Sequence, residues 1–239
     1  ILCMAAIFIT GCGSKESGLL ENPYSLTEDN TAVSSQFFAQ NLCVTDNVDF
    51  GIDQVSSDYA EGAGAFNLTT QEVLYSHNLF EKLYPASTTK IMTAYIIIKN
   101  CDLDEKVTVS TEAVANMADS SKCGVAAGDT LTVRDLLYGL MLVSGNDAAN
   151  VLAEHYSGSI QKFAEEMNKE ALSLGATHTH FVNANGLPDD DHYTTVYDMY
   201  LIFQAAIQLQ EFEDIIKTQS YDASYTDTNG NTVTKTDRK

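Results

Sequence analysis

The sequence predicts an α+β fold in which an antiparallel sheet joins a mostly helical subdomain. Three observations carry this reading. Residues 62–77 read as a hairpin, residues 87 to about 207 hold apolar positions at helical spacing between start and stop signals, and residues 221–239 turn Thr-, Asn- and Asp-rich around Asn229-Gly230. With 44% hydrophobic residues and only 3 prolines in 239, a sizeable core is available.

The chain opens on an uncharged apolar run, Ile1 to Thr10, followed by Gly11-Cys12 and then polar Gly13-Ser14-Lys15-Glu16. The run is too short to span roughly 30 Å of hydrocarbon. It reads as the end of a secretory signal whose basic start lies upstream. The small-residue-then-Cys junction resembles a bacterial lipobox with Cys12 as the lipid-carrying residue; an ordinary signal with a chance cysteine is the alternative. Two or more acyl chains on Cys12 would anchor the protein stably, so the expected location is extracytoplasmic, on the bacterial membrane. Residues 1–12 are therefore read as a signal remnant, 13–45 as a polar tether or loosely packed lead-in, and 46–239 as an incomplete catalytic domain.

The first hairpin is predicted with strands Ala65–Leu68 and Glu72–Ser76 and Thr69-Thr70-Gln71 at the turn. A helix from Ser87 to about Lys99 carries Ile91, Met92, Tyr95, Ile96 and Ile98, apolar enough all round to be buried on most sides. Thr132-Val133-Arg134-Asp135 resembles a capping box opening a helix through Leu136, Leu137, Leu140 and Met141. A further helix follows Asn146 and ends before Gly158; Ser159 caps the next, which Gly175 stops near Ser173. Thr195-Val196-Tyr197-Asp198 repeats the capping pattern ahead of Tyr200–Ile207, and the tail from Tyr221 reads as the start of another hairpin.

Composition removes several functions. A formal net charge of -20, with no Lys or Arg between Glu16 and Glu81, excludes nucleic acid as a partner. Cys43, Cys101 and Cys123 are left after the signal and anchor cysteines, too few and too widely spaced for a disulfide framework or a metal site. His77, His155, His178, His180 and His192 show no metal-ligand spacing, and Asp189-Asp190-Asp191 and Glu165-Glu166 read as solvated charge. No cofactor is implied.

The chemistry starts at Pro85-Ala86-Ser87-Thr88-Thr89-Lys90. Ser87 and Lys90, three positions apart at a helix start, share one face about a turn apart. An amine so placed can accept the hydroxyl proton as the oxygen attacks a carbonyl. Nearby free backbone N–H groups favour a developing oxyanion. Lys90 must then lose its proton near neutral pH, which needs burial or a neighbouring cation. An N-cap serine with a surface lysine is the plainer alternative, but Lys90 interrupts an apolar run and so wants a specific environment. Ser144-Gly145-Asn146 lies between two predicted helices, where a hydroxyl and a carboxamide can point into a cleft. Ser144 could relay a proton at the leaving group while Asn146 holds the substrate amide; a helix junction capped by Asn146 or Asp147 is the structural alternative.

Together the two motifs resemble the low-molecular-mass penicillin-binding proteins of the D-alanyl-D-alanine carboxypeptidase family. The resemblance runs from about Ala63 to Tyr200. It includes Ala86–Ala94, Val143–Ala149, Gly128-Asp129 leading into Thr132–Leu137, and Phe181-Val182-Asn183 followed by Gly186-Leu187. It implies a β-lactamase/transpeptidase-like fold, Ser87 as acylated nucleophile with its N–H half of the oxyanion hole, Lys90 as general base, and Ser144 and Asn146 as the second catalytic and substrate-binding element. The implied substrate is a peptidoglycan stem peptide ending in D-Ala-D-Ala, with β-lactams as covalent inhibitors. The family's Lys-Thr-Gly motif is absent; Lys235-Thr236-Asp237 lacks its glycine and lies in the hairpin that ordinarily precedes it. The chain is accordingly read as truncated, with the C-terminal sheet strands missing and the fragment inactive by itself. A serine β-lactamase is the nearest rival, but no Glu-x-x-Leu-Asn string offers a second base, and Gly145 stands where that class has Asp. A β-lactam sensor or wall-binding module that acylates or binds without turnover is the other.

Overall fold

The computed structural model describes residues 42–51, 60–115 and 120–239. Strands β1 (Ala63–Asn67) and β2 (Glu72–His77) form the first hairpin, with Ala63 opposite His77 and a bulge between Ala65 and Phe66. β1 stops at Asn67 because the Asn67 side-chain oxygen accepts from the N–H groups of Thr69 and Thr70, at 3.0 and 3.1 Å, and turns the chain.

A 3₁₀ turn, Ala86–Thr88, leads into α1 (Thr89–Asn100). Lys90, Met92, Thr93, Ala94, Tyr95, Ile96 and Ile97 of α1 are all buried, as expected of a helix with no polar face. It touches α2 (Val133–Leu142), α3 (Asn146–Ser157), α4 (Ile160–Ser173), α5 (Val196–Ala206) and α6 (Gln210–Lys217). Ile97, Leu140, Leu152, Phe163 and Ile202 are fully buried in the shared core, where truncation to alanine costs about 2–5 kcal/mol. A second, antiparallel sheet runs β3 (Lys106–Thr108), β4 (Thr130–Thr132), β5 (Ser220–Thr226) and β6 (Thr232–Arg238) in spatial order. The tail hairpin is thus present as expected.

The caps explain the boundaries. Thr132 Oγ1 accepts from the Asp135 N–H and the Asp135 carboxylate from the Thr132 N–H, each at 3.0 Å, the reciprocal pair read from the sequence. Ser159 Oγ accepts from the Lys162 N–H at 3.2 Å. At α5 the pattern is only half realised. Thr195 Oγ1 accepts from the Asp198 N–H, but the Asp198 carboxylate turns away to the His178 N–H and the Thr179 hydroxyl, at 2.8 and 2.7 Å. That diversion ties the 177–180 segment to α5.

Three elements lie beyond the sequence reading: β3 and β4, each three residues long, and α6, whose eight residues bury only Phe212 and Ile215. Cys43 is buried and clamped to α5, its N–H 2.8 Å from Tyr200 Oη and its carbonyl accepting from Tyr197 Oη at 2.9 Å. The packed unit therefore reaches back into the stretch read as lead-in. Cys43, Cys101 and Cys123 carry free thiols. The lipobox and Cys12 lie outside the described residues, among which no helix is long and apolar enough to cross a membrane.

Candidate active site

The site forms where α1, the junction between α2 and α3, and the loop 182–187 meet. Ser87 sits in the 3₁₀ turn just ahead of α1 rather than in its first α turn. Thr88 braces that turn through its N–H and Oγ1, both donating to the Pro85 carbonyl. Ala86 takes φ +47°, a left-handed conformation that costs energy for a residue with a Cβ. Gly186 explains part of why it is held: at φ +85° it packs so tightly that an added Cβ would stand 1.8 Å from the Ala86 oxygen. The Ser87 N–H donates to no other described residue, leaving it available to an oxyanion.

Lys90 lies one turn on, only 2% exposed, with Nζ 3.1 Å from Ser87 Oγ and 2.6 Å from the Asn185 carbonyl. Burial pulls its pKa down to about 8, while the Asp147 carboxylate opposes the fall. Of the two routes to a neutral amine considered from the sequence, burial is the one used. Ser144 follows α2 in a left-handed conformation, φ +57°, and its hydroxyl lies 3.0 Å from Ser87 Oγ. Ser87 Oγ thus has an amine on one side and a hydroxyl on the other.

The junction is not built by a side-chain cap from Asn146 or Asp147. Gly145 is the N-cap residue of α3 and makes no side-chain bond. Its N–H donates to Gly139 O, and an added Cβ would stand 3.0 Å from Gly139 O and from the Cys123 nitrogen. Asp147 instead points its buried carboxylate at the N–H groups of Cys123, Gly124, Val125 and Ala148, at 2.7–3.2 Å. Asn146 is buried beside Ser144 and donates its N–H to Ser121 O; its carboxamide bonds neither Ser87 nor Lys90. Lys235 stands on β6 with Nζ 3.4 Å from Asp237.

Several supporting residues escaped the sequence reading. His192 is buried, with Nε2 2.8 Å from Thr89 Oγ1 and Nδ1 accepting from the Val182 N–H at 3.1 Å. Because Nδ1 is the acceptor, the ring proton sits on Nε2 and is donated to Thr89. Burial pushes its pKa down to about 4, so it is neutral in the working range. Thr93 Oγ1 donates to Ala184 O at 2.7 Å. Thr89, Lys90 and Thr93 together stitch α1 to the 182–192 segment. The only forewarning in the sequence was Phe181-Val182-Asn183 with Gly186-Leu187, which carried the resemblance without a role.

A family model described as D-alanyl-D-alanine carboxypeptidase matches residues 53–237. The chain is 39% identical over 163 residues to D-alanyl-D-alanine carboxypeptidase DacF of Bacillus subtilis, covering 66% of this chain and 41% of the relative. It is also 39% identical over 189 residues to the D-alanyl-D-alanine carboxypeptidase of Streptomyces sp. strain K15, covering 74% of this chain and 62% of that one. The crystal structure of the Streptomyces K15 DD-transpeptidase superposes with a TM-score of 0.71 at 34% identity, over 75% of this chain and 72% of that one. The chain spans 41% and 62% of the length of the two carboxypeptidases. The match takes in Ser87, Lys90 and the Ser144-Gly145-Asn146 junction alike, and the α+β architecture agrees with it. The chain belongs to the D-alanyl-D-alanine carboxypeptidase family.

Proposed function

We propose that this chain is the nucleophile-bearing part of a serine D-alanyl-D-alanine carboxypeptidase that removes the terminal D-alanine from peptidoglycan stem peptides. The observation that carries the reading is Ser87 Oγ held 3.1 Å from the amine of a buried lysine and 3.0 Å from a second hydroxyl. Neutral Lys90 takes the Ser87 proton as Oγ attacks the carbonyl carbon of the penultimate D-alanine. The Ser87 N–H stabilises the resulting oxyanion. Ser144 relays the proton held by Lys90 to the leaving nitrogen, the C–N bond breaks, D-alanine departs and Lys90 is neutral again. Water then attacks the Ser87 ester, giving up a proton to the same base, and releases the shortened peptide. In a β-lactam the amide is part of a ring, so its nitrogen stays attached and the acyl-enzyme persists; inhibition follows.

Asn146 binds the substrate amide in this reading, its carboxamide being uncommitted to Ser87 and Lys90. The Lys-Thr-Gly strand that would bind the substrate carboxylate is absent from the sequence, so the activity is proposed for the full-length gene product. Cys12 would carry lipid and hold that product on the outer face of the membrane; mass spectrometry of the membrane fraction, with Cys12→Ser as control, tests this. The similarity to the Streptomyces K15 DD-transpeptidase favours one further reading, in which an amine in place of water resolves the acyl-enzyme.

In the full-length product, Ser87→Ala abolishes covalent labelling by fluorescent penicillin. Ser144→Ala leaves labelling in place and slows D-alanine release from a pentapeptide by roughly 10²-fold, within the usual range for proton-transfer groups. Labelling of Ser87→Ala at the same mass shift overturns the nucleophile assignment. Adding an amino acceptor and following transferred against hydrolysed product separates transpeptidation from hydrolysis.

A further inference from the structure

A buried line of neutral amides runs up to the catalytic amine. Asn150 on α3 donates its Nδ2 to the Ala113 carbonyl at 3.0 Å, and its Oδ1 accepts from Asn185 Nδ2 at 3.0 Å. Asn185 Oδ1 in turn accepts from the Leu187 N–H at 2.9 Å. Both ends of the line are fixed by backbone groups whose roles cannot reverse, a carbonyl at Ala113 and an N–H at Leu187. The orientation of both carboxamides follows from that. Asn150 and Asn185 are each 4% exposed, so neither has water as a ready substitute partner. At the head of this line the Asn185 backbone carbonyl meets Lys90 Nζ at 2.6 Å.

We infer that Asn185, locked by Asn150, is a positioning residue for Lys90: it turns the amine so that the lone pair faces the Ser87 hydroxyl. The inference rests on the proposed role of Lys90 and adds residues that the two sequence motifs do not contain. A neutral amine has two N–H bonds and one lone pair. Giving one N–H to Asn185 O restricts rotation about the Cε–Nζ bond and leaves the lone pair to be aimed at Ser87 Oγ, 3.1 Å away. The acceptor is a neutral carbonyl held by neutral amides, so it orients the amine without supplying a counter-charge. The charged and titratable groups facing this region are few. Asp147 at the head of α3 acts on Lys90. Lys235 and Asp237 of β6 face Cys123 behind it. His192, on the loop side, is neutral.

The test uses the full-length product with two variants, Asn150→Leu, which deletes the line, and Asn150→Asp, which keeps its shape and the acceptor for Asn185 but adds a buried carboxyl. Lys90 is titrated by NMR of ¹³Cε-lysine, its signal assigned by its loss in Lys90→Met, and saturable acylation by labelled penicillin is followed from pH 6 to 10. Rates are corrected for the fraction of molecules that label. The expected result for Asn150→Leu is a limiting acylation rate reduced roughly tenfold per labelled molecule, with the half-saturating penicillin concentration unchanged. For Asn150→Asp the Lys90 titration and the acylation inflection both move to higher pH. A merely structural amide pair would lower the melting temperature and the labelled fraction while leaving the limiting acylation rate in place, and that result overturns the inference; if Asn150→Leu does not fold, Asn150→Ser, which shortens the side chain and breaks the line, is scored on the same limiting rate. Should Lys90 respond to the variants while the wild type never labels at Ser87, the positioning stands and the proposed function falls.

Discussion

Lys90 and Asp147 are both buried ionisable residues, both at the start of a helix in the same site, and they are treated in opposite ways. Asp147 receives four backbone N–H donors, enough to satisfy the carboxylate by hydrogen bonds alone. Lys90 receives a carbonyl and a hydroxyl, and among the described residues no carboxylate within bonding distance. The first arrangement keeps a charge for structure, since it pins residues 123–125 beneath the Ser144 turn. The second withholds support from a charge, which suits the amine to the proposed role of base. The contrast teaches that burial alone does not mark a catalytic group; what matters is whether the neighbours solvate the charged form.

The comparison breaks most openly at Lys90. Lys90→Met removes the proposed base but leaves an apolar side chain of similar length in a buried slot. Acylation by penicillin falls by roughly 10²- to 10⁴-fold, while the melting temperature holds or rises, because replacing a poorly supported buried amine by a packed apolar group is often neutral or stabilising. A pH scan sharpens the point. The Lys90 pKa is depressed in the folded protein, from 10.5 to about 8. Between those values the unfolded chain binds the proton and the folded chain does not, so stability gained from this residue is present above 10.5 and is lost as pH falls toward 8. Wild type therefore gains on Lys90→Met as pH rises through that window. Melting curves that stay parallel would mean the amine is charged in the fold.

Asp147 should give the converse. Asp147→Ala leaves the N–H groups of Cys123, Gly124 and Val125 without their acceptor and costs about 3 kcal/mol, after water recovers part of the loss, a fall of roughly 10 °C for a domain of this size. Asp147→Asn is milder for stability, yet it removes the one carboxylate that opposes the depression of Lys90. The acylation inflection of that variant then lies below about 8. An inflection that rises instead would show that loop disorder, rather than lost charge, governs the amine.

How much of this was legible depends on how far apart the interacting residues are in sequence. Ser87 and Lys90 were readable because a helix start converts a spacing of three into a shared face. The helices were readable from Thr132, Ser159 and Thr195, whose caps are local. β3 and β4 were not, since three residues are too few to show a period of two. Asn185 and His192 were not, because their partners Lys90 and Thr89 lie 95 and 103 positions away and no periodicity connects them. The Asp198 carboxylate shows the same limit in reverse: its local motif predicts a reciprocal cap, and a distant segment takes the side chain instead.

The smallest effect belongs to His192, a further buried titratable group packed against α1. It resembles Lys90 in being held neutral, its pKa lowered from 6.5 to about 4 by burial, but its proton is committed to Thr89. Between 4 and 6.5 the unfolded chain takes up a proton that the folded chain refuses, so the contribution of His192 is whole above 6.5 and drains away as pH falls toward 4. His192→Gln can still donate to Thr89 but cannot titrate. At pH 7.5 this variant melts below wild type, and the gap narrows by roughly 5 °C on going to pH 4.5. Taking the difference between the two proteins cancels the acid loss common to the many other carboxylates. A gap that stays constant across that range would show that the imidazole takes up its proton in the folded protein as readily as in the unfolded chain, and the bond from the Val182 N–H to Nδ1, which needs an unprotonated nitrogen, would then have to be reassigned.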